Sequence, residues 1–202
     1  MEKKTLYLLR HSQSQYNKIG IIQGDVDTPL SKEGRDEVKK MAHIFKQFEL
    51  KNIVHSPLAR AKETAQYINE HLNLPINSKE DLKEMDFGAW SAHAKIEEWD
   101  KFRRPFYEFG QAPPGGESKN DLFKRVEKAI HEICEEVDDD PILIVAHGMV
   151  YRALLGKWFT NDTEKEIRQL EMHNLSLYKV EVEFDKDRIL PIKYKYIDIF
   201  KL

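Results

Sequence analysis

Cysteine is nearly absent from this chain of 202 residues: Cys134 stands alone, so no disulfide forms within the chain. Its setting, HEICEE, reads as the apolar face of a helix, where a thiol behaves as a small buried hydrophobe. Glycine is sparse at nine residues, and neither GxxxxGK[ST] nor GxGxxG occurs, which excludes the glycine-rich phosphate loops. Charge of one sign is not in excess either. Lys+Arg total 32 against 35 Asp+Glu, a formal net charge of −3, which offers no overall attraction to nucleic acid or anionic lipid. Anion handling must therefore be local. Long apolar runs are missing, since the N-terminal MEKKTLYLLRH breaks at Arg10 and His11 and fits neither a signal peptide nor a membrane span. The expectation is a cytoplasmic protein with no membrane and no nucleic-acid partner. With 41% hydrophobic and 33% charged residues, and no Pro/Ser linker or internal repeat, residues 1–202 are expected to bury one core as one domain.

What is present alternates strand and helix. Leu6 to Leu9 and Pro141 to Ala146 are short apolar runs that end abruptly at Arg10-His11 and His147-Gly148, as buried parallel strands opening into polar loops do. Asn52 to His55 is a further strand candidate. Helical spacing runs from Ser31 to about Phe48, from Pro57 to Leu72, and from a capping-type Ser118 to Val137. Leu175 to Phe184 and Ile189 to Ile199 alternate like strands with one wet face. This order predicts an α/β fold, a three-layer α/β/α sandwich around a mostly parallel sheet. The irregular section from about 82 to 117, ending in Pro113-Pro114-Gly115-Gly116, is expected to be a helical lid inserted over the carboxyl ends of the strands. Trp90, Trp99, Phe102, Phe106, Tyr107 and Phe109 crowd it. They read first as packing, with an apolar cover over a ligand as the functional alternative.

Two histidines that each follow a strand emerge at the same sheet edge if the strands are parallel neighbours. Arg10 adjoins His11, and Arg60 lies near the start of its helix, where backbone N–H groups and the helix dipole add to the attraction for an anion. Two arginines, two histidines and a helix start make a phosphate site that needs no metal and no cofactor. His43, His55, His71, His93, His131 and His173 lack a repeated ligand spacing and read as structural or solvated. The acidic run from Glu135 to Asp140 reads as a helix end and turn.

The ordered segments LLRHSQSQYN, IQGDVDTPLSKEG, HSPLARAKETA, LKEMDFGAW, PPGGES and IVAHGM resemble the motif series of the histidine phosphatase superfamily, across nearly the whole chain. The resemblance implies that His11 is the nucleophile accepting a phosphoryl group, and that Arg10, Arg60 and His147 hold its oxygens. Asn17 and Gln23 would add neutral donors, Gly148 would border the substrate, and Glu84 would be the proton donor. Two positions depart from the family pattern. Ser12 stands where glycine is usual and either narrows the pocket or adds a hydroxyl donor where backbone amides approach the phosphate; Met149 stands where a second glycine is frequent.

The implied activity is metal-independent hydrolysis of a small organic phosphomonoester through a phosphohistidine intermediate. A phosphoglycerate mutase is the alternative within the family, but the chain has KEMDFG where mutases carry an ERHYG-type segment. A two-histidine, one-carboxylate metallohydrolase built on His11, His147 and Glu84 is a third reading, opposed by the two arginines. A non-catalytic phospholigand-binding module is a fourth. Arg103 and Arg104 are candidates for a second acidic group on the substrate. The substrate's identity and the oligomeric state are not legible in the sequence.

Overall fold

The computed structural model describes residues 1–98, 110–161 and 163–202. Strand β1 (Glu2–Arg10) alternates its side chains between two cores, with Leu6 and Leu8 on one face and Tyr7 and Leu9 on the other. Both faces are apolar, as in a strand covered on each side. The remaining strands are β2 (Asn52–His55), β3 (Ile76–Ser78), β4 (Ile142–Ala146), β5 (Leu177–Asp185) and β6 (Arg188–Ile197). They form one sheet in the order β3-β2-β4-β1-β5-β6. β3, β2, β4 and β1 pair in parallel, and β5 pairs antiparallel with both β1 and β6. β5 alone therefore runs against the others, so the sheet is mostly parallel, as expected.

After the one-turn helix α1 (Gln15–Lys18), helices α2 (Lys32–Met41) and α3 (Ala59–Asn69) cover one face, contributing Val38, Ala61, Ala65 and Ile68 to its core. On the other face α4 (Lys119–Glu136) and α5 (Gly148–Phe159) bring Leu122, Val126, Ile130, Val150 and Leu154. The result is the predicted three-layer α/β/α arrangement. Ser118 caps α4 by accepting from the Asp121 N–H at 3.1 Å. Cys134 is buried there, and burial pushes its thiol pKa up to about 12, which suits a hydrophobe and not a nucleophile. The acidic run closes α4: Lys4 Nζ donates to the Val137 and Asp138 carbonyls, and Asp140 accepts the Thr5 N–H at 2.9 Å.

One expectation changes. The helix read from Ser31 to Phe48 is α-helical only to Met41 and tightens into a 3₁₀ segment over Ala42–Phe48. This segment buries Phe45 and stacks Phe48 against Tyr7, ring centroids 4.9 Å apart. Within the section 82–117, the described residues include short 3₁₀ turns at Gly88–Trp90 and Ile96–Glu98. Trp90 packs against the α4/α5 core, which is the packing role. Trp99, Phe102, Arg103, Arg104, Phe106, Tyr107 and Phe109 lie outside the described residues. Among the described residues no helix is long and apolar enough to cross a membrane.

Candidate active site

Parallel register brings the two histidines together. Arg10 of β1 sits opposite Ala146 of β4, so His11 and His147 leave the sheet side by side, their ring centroids 5.2 Å apart. The His11 N–H donates to the Ala146 carbonyl at 3.0 Å, which locks the two strand ends. His11 Nδ1 lies 2.7 Å from the Ser12 carbonyl. A carbonyl only accepts, so Nδ1 carries the hydrogen and a neutral ring presents an unprotonated Nε2. His11 and His147 are both deeply buried. Burial, followed by the nearby charges of Arg60 and Arg10, holds the His11 pKa well below its ordinary value; burial and the Arg60 charge do the same to His147. Both rings are neutral at neutral pH.

Arg60, the second residue of α3, is fully buried. Its Nη1 donates to Val26 O at 2.8 Å and its Nη2 to Gly24 O at 2.7 Å. Arg10 donates through Nη1 to the Met172 carbonyl. The Nε atoms of both arginines, and Nδ1 of His147, are buried with no hydrogen-bond partner, an arrangement that costs free energy unless a ligand completes it. Burial lowers both guanidinium pKa values to about 10, which leaves them charged at neutral pH.

The neutral donors are aimed by local structure. Asn17 Oδ1 accepts from the Ser14 N–H and the Asn174 amide, both at 3.2 Å, which leaves its amide nitrogen for the cavity. Gln23 Oε1 accepts from Ser14 Oγ at 2.8 Å and Thr28 Oγ1 at 2.5 Å, with the same consequence. Glu84 is gripped by the start of α5. Its carboxylate accepts from the N–H groups of Met149 (3.2 Å), Val150 (3.3 Å) and Met85 (2.9 Å), the place where a helix favours a negative group. Arg10, His11, Asn17, Gln23, Arg60, Glu84 and Gly148 all line one cavity of about 360 Å³, within the size range of small-molecule sites. His147 stands edge-on beside His11.

The structure corrects two details of the sequence reading. α3 offers no open N-terminus to an anion, because Asp27 Oδ1 accepts its first N–H, that of Ala59, at 2.6 Å. Ser12 neither narrows the cavity nor donates into it. Its hydroxyl points to α2, donating to Gly34 O at 2.9 Å and reaching Glu37 at 3.3 Å, while its N–H goes to Thr64 Oγ1 at 3.1 Å. The departure from glycine is thus absorbed by packing.

Four residues escaped the sequence reading. Ser56 stands 2.7 Å from His147 Nε2, and its strand position beside β4 was the available signal. Asn174 ties the His11 carbonyl (3.0 Å) to Asn17. Arg125 gathers the carbonyls of Asp81, Lys83 and Glu84 and pairs with Glu117, fixing the segment that carries Glu84. Arg152 lines the cavity one turn beyond Gly148. Among the described residues no three His, Cys, Asp or Glu side chains gather as a metal site would require.

Comparison with known proteins agrees with this geometry. Residues 6–194 match the histidine phosphatase superfamily (branch 1). The chain is 31% identical over 182 residues to the uncharacterized phosphatase PhoE of Bacillus subtilis (strain 168), covering 90% of each chain. It is 28% identical over 183 residues to the probable phosphoglycerate mutase GpmB of Salmonella choleraesuis (strain SC-B67), covering 88% of this chain and 85% of that one. The solved structure of a mycobacterial glucosyl-3-phosphoglycerate phosphatase complexed with VO3 superposes with a TM-score of 0.80 at 27% identity, over 96% of this chain and 97% of that one. This chain belongs to the histidine phosphatase superfamily, branch 1, and is a phosphatase.

Proposed function

We propose that the protein hydrolyses a small organic phosphomonoester without a metal, through a phosphohistidine on His11. The observation that carries the reading is the Nδ1–H of His11 donated to the Ser12 carbonyl, with Nε2 left bare beside two buried arginines. In the first step the Nε2 lone pair forms a bond to phosphorus as the bond to the ester oxygen breaks. Glu84 is the proton donor to the departing alkoxide. The Ser12 carbonyl steadies the cationic ring that results. In the second step water attacks phosphorus, its proton passes to Glu84, and the P–N bond breaks to release phosphate and neutral His11. Arg10 and Arg60, with the amides of Asn17 and Gln23 and an N–H of His147, stabilise the charge spread over the phosphoryl oxygens. The section 82–117 serves as the cover of the same domain, supported by Phe87 and Ile96 in the cavity wall.

Turnover of p-nitrophenyl phosphate in a chelator tests this. Activity is expected to persist, and His11→Ala to lower kcat by on the order of 10⁴-fold or more, as loss of a nucleophile does. An acid quench during turnover is expected to trap labelled, acid-labile phosphoprotein in the wild type and none in the variant. Activity abolished by the chelator, or preserved in His11→Ala, overturns the proposal. The similarity to a probable mutase supports a second reading, phosphoglycerate mutase activity; interconversion of phosphoglycerates faster than their hydrolysis would establish it instead.

A further inference from the structure

The charges around the cavity exceed what one phosphate needs. Among the described residues four arginines line it, Arg10, Arg60, Arg152 and Arg168, against the single carboxylate of Glu84. Arg10 and Arg60, beside His11, match a phosphoryl dianion. Arg152 and Arg168 come from different elements and are brought together by one hydrogen bond. Arg152 projects from α5 on the same face as Gly148, and its Nη1 donates at 2.6 Å to the carbonyl of Ile167. Ile167 directly precedes Arg168 in α6 (Glu164–Gln169). The two guanidinium groups therefore belong to one wall of the cavity. Arg168 is about half exposed and pairs with Glu164, one turn away at 3.3 Å and also exposed. An exposed pair of this kind is weak and yields readily to a better anion. Ile21, Ile22, Phe87, Ile96, Met149 and Met172 make the apolar part of the wall.

We infer that Arg152 and Arg168 form a second anion subsite, which selects phosphomonoesters bearing another acidic group, a carboxylate or a second phosphate, across a short uncharged spacer. Arg152, held by α6, gives a fixed charge; Arg168 supplies a mobile one that leaves Glu164 to meet the substrate. Paired donors on a guanidinium suit either anion. The inference rests on the phosphatase reading for its role in turnover, but the binding of a second anion is measurable without turnover.

Matched pairs test it. One pair is 3-phosphoglycerate against glycerol 3-phosphate, which differ in the carboxylate; the other is 1,3-propanediol bisphosphate against propyl phosphate. Binding to the His11→Ala protein is measured by calorimetry, and kcat/KM on the wild type. The expected result is at least tenfold preference for the acidic member of one pair, and the pair that shows it identifies the anion. Arg168→Gln is expected to reduce that preference to within about twofold, a larger factor than its effect on p-nitrophenyl phosphate turnover. Arg168→Lys is expected to restore part of it. No preference in either pair, or a preference kept in Arg168→Gln, overturns the subsite. Wild-type protein that binds with the preference yet hydrolyses nothing overturns the phosphatase mechanism and leaves the subsite standing.

Discussion

Ser56 Oγ, 2.7 Å from His147 Nε2, also accepts weakly from the Leu58 N–H at 3.4 Å. When the hydroxyl donates its proton to Nε2, the ring hydrogen resides on Nδ1. That is the nitrogen left without a protein partner, and as N–H it is fit to donate to a phosphoryl oxygen. Ser56→Ala removes this bias. Loss of one such buried hydrogen bond is worth about 1–2 kcal/mol, so the melting temperature is expected to fall by a few degrees and kcat/KM for p-nitrophenyl phosphate by roughly tenfold. Nitrogen chemical shifts of His147 by NMR, moving from the Nδ1–H toward the Nε2–H form, are the readout that a merely structural serine would not alter. Unchanged tautomer and rate would remove Ser56 from the mechanism. His11, Arg60 and Glu84 were legible because each sits in a motif. Ser56 was quoted in one of those segments, but its bond to His147 depends on strands β2 and β4 being neighbours, 91 residues apart in sequence.

At the scale of elements, the site is an assembly of strand ends braced by helix starts. α2 begins against the loop after β1: Ser31 accepts from the Gly34 N–H, and its hydroxyl donates to Gln13 Oε1 at 2.7 Å. A Cβ on Gly34 would run into the Gln13 carbonyl. Gly34→Ala is expected to destabilise by about 1–3 kcal/mol through overpacking, read as a lower denaturant midpoint at constant slope. α4 braces Glu84 in the same manner through Arg125, partly buried against Glu117. Arg125→Met leaves that carboxylate and three carbonyls without their donor. The expected cost is roughly 3 kcal/mol in stability, with a larger fall in kcat than in KM because Glu84 loses its place. An Arg125 variant of wild-type kcat would separate the bracing from the chemistry. The positively curved turn at Gly88 belongs to the same brace, since its φ is +53° and a Cβ there would strike the Pro114 carbonyl. The sequence announced α4 by its spacing and its Ser118 cap, yet Arg125 looked like any polar position on that helix. Its role appears only when α4 lies beside residues 81–84.

For the whole molecule, three histidines are held below their ordinary pKa chiefly by burial: His11, His147 and His55. Unfolded, each titrates near 6.5. As pH falls below that value the unfolded chain takes up protons that the folded chain refuses, so the folded state loses stability toward acid; above it the contribution is complete. The slope is at most about 1.4 kcal/mol per pH unit for each histidine. Chemical denaturation at a series of pH values from 8 to 5 is expected to show stability flat at the upper end and declining below about 6.5. His11→Asn is expected to lessen that decline by about a third. A stability independent of pH through this range, or one unaffected by the substitution, contradicts the burial of neutral histidines.

The sequence by itself determined the layers, the strand ends and the chemical types at the site. Apolar runs that stop at charged residues fix where a strand leaves the core, and the spacing of apolar residues fixes which helix face is buried. It therefore specified His11, His147, Arg10 and Arg60 as residues of one sheet edge, to which the resemblance to the histidine phosphatases added Glu84. Tertiary structure alone decided which way each of them faces. The hydroxyl of Ser12 turned to α2, the start of α3 was closed by Asp27, and the start of α5 became the seat of Glu84. Arg152 and Arg168 became neighbours through a single carbonyl. Hydrogen-bond direction and the meeting of distant residues depend on positions in space, and the order of residues along a chain does not carry them until the sheet has set its register.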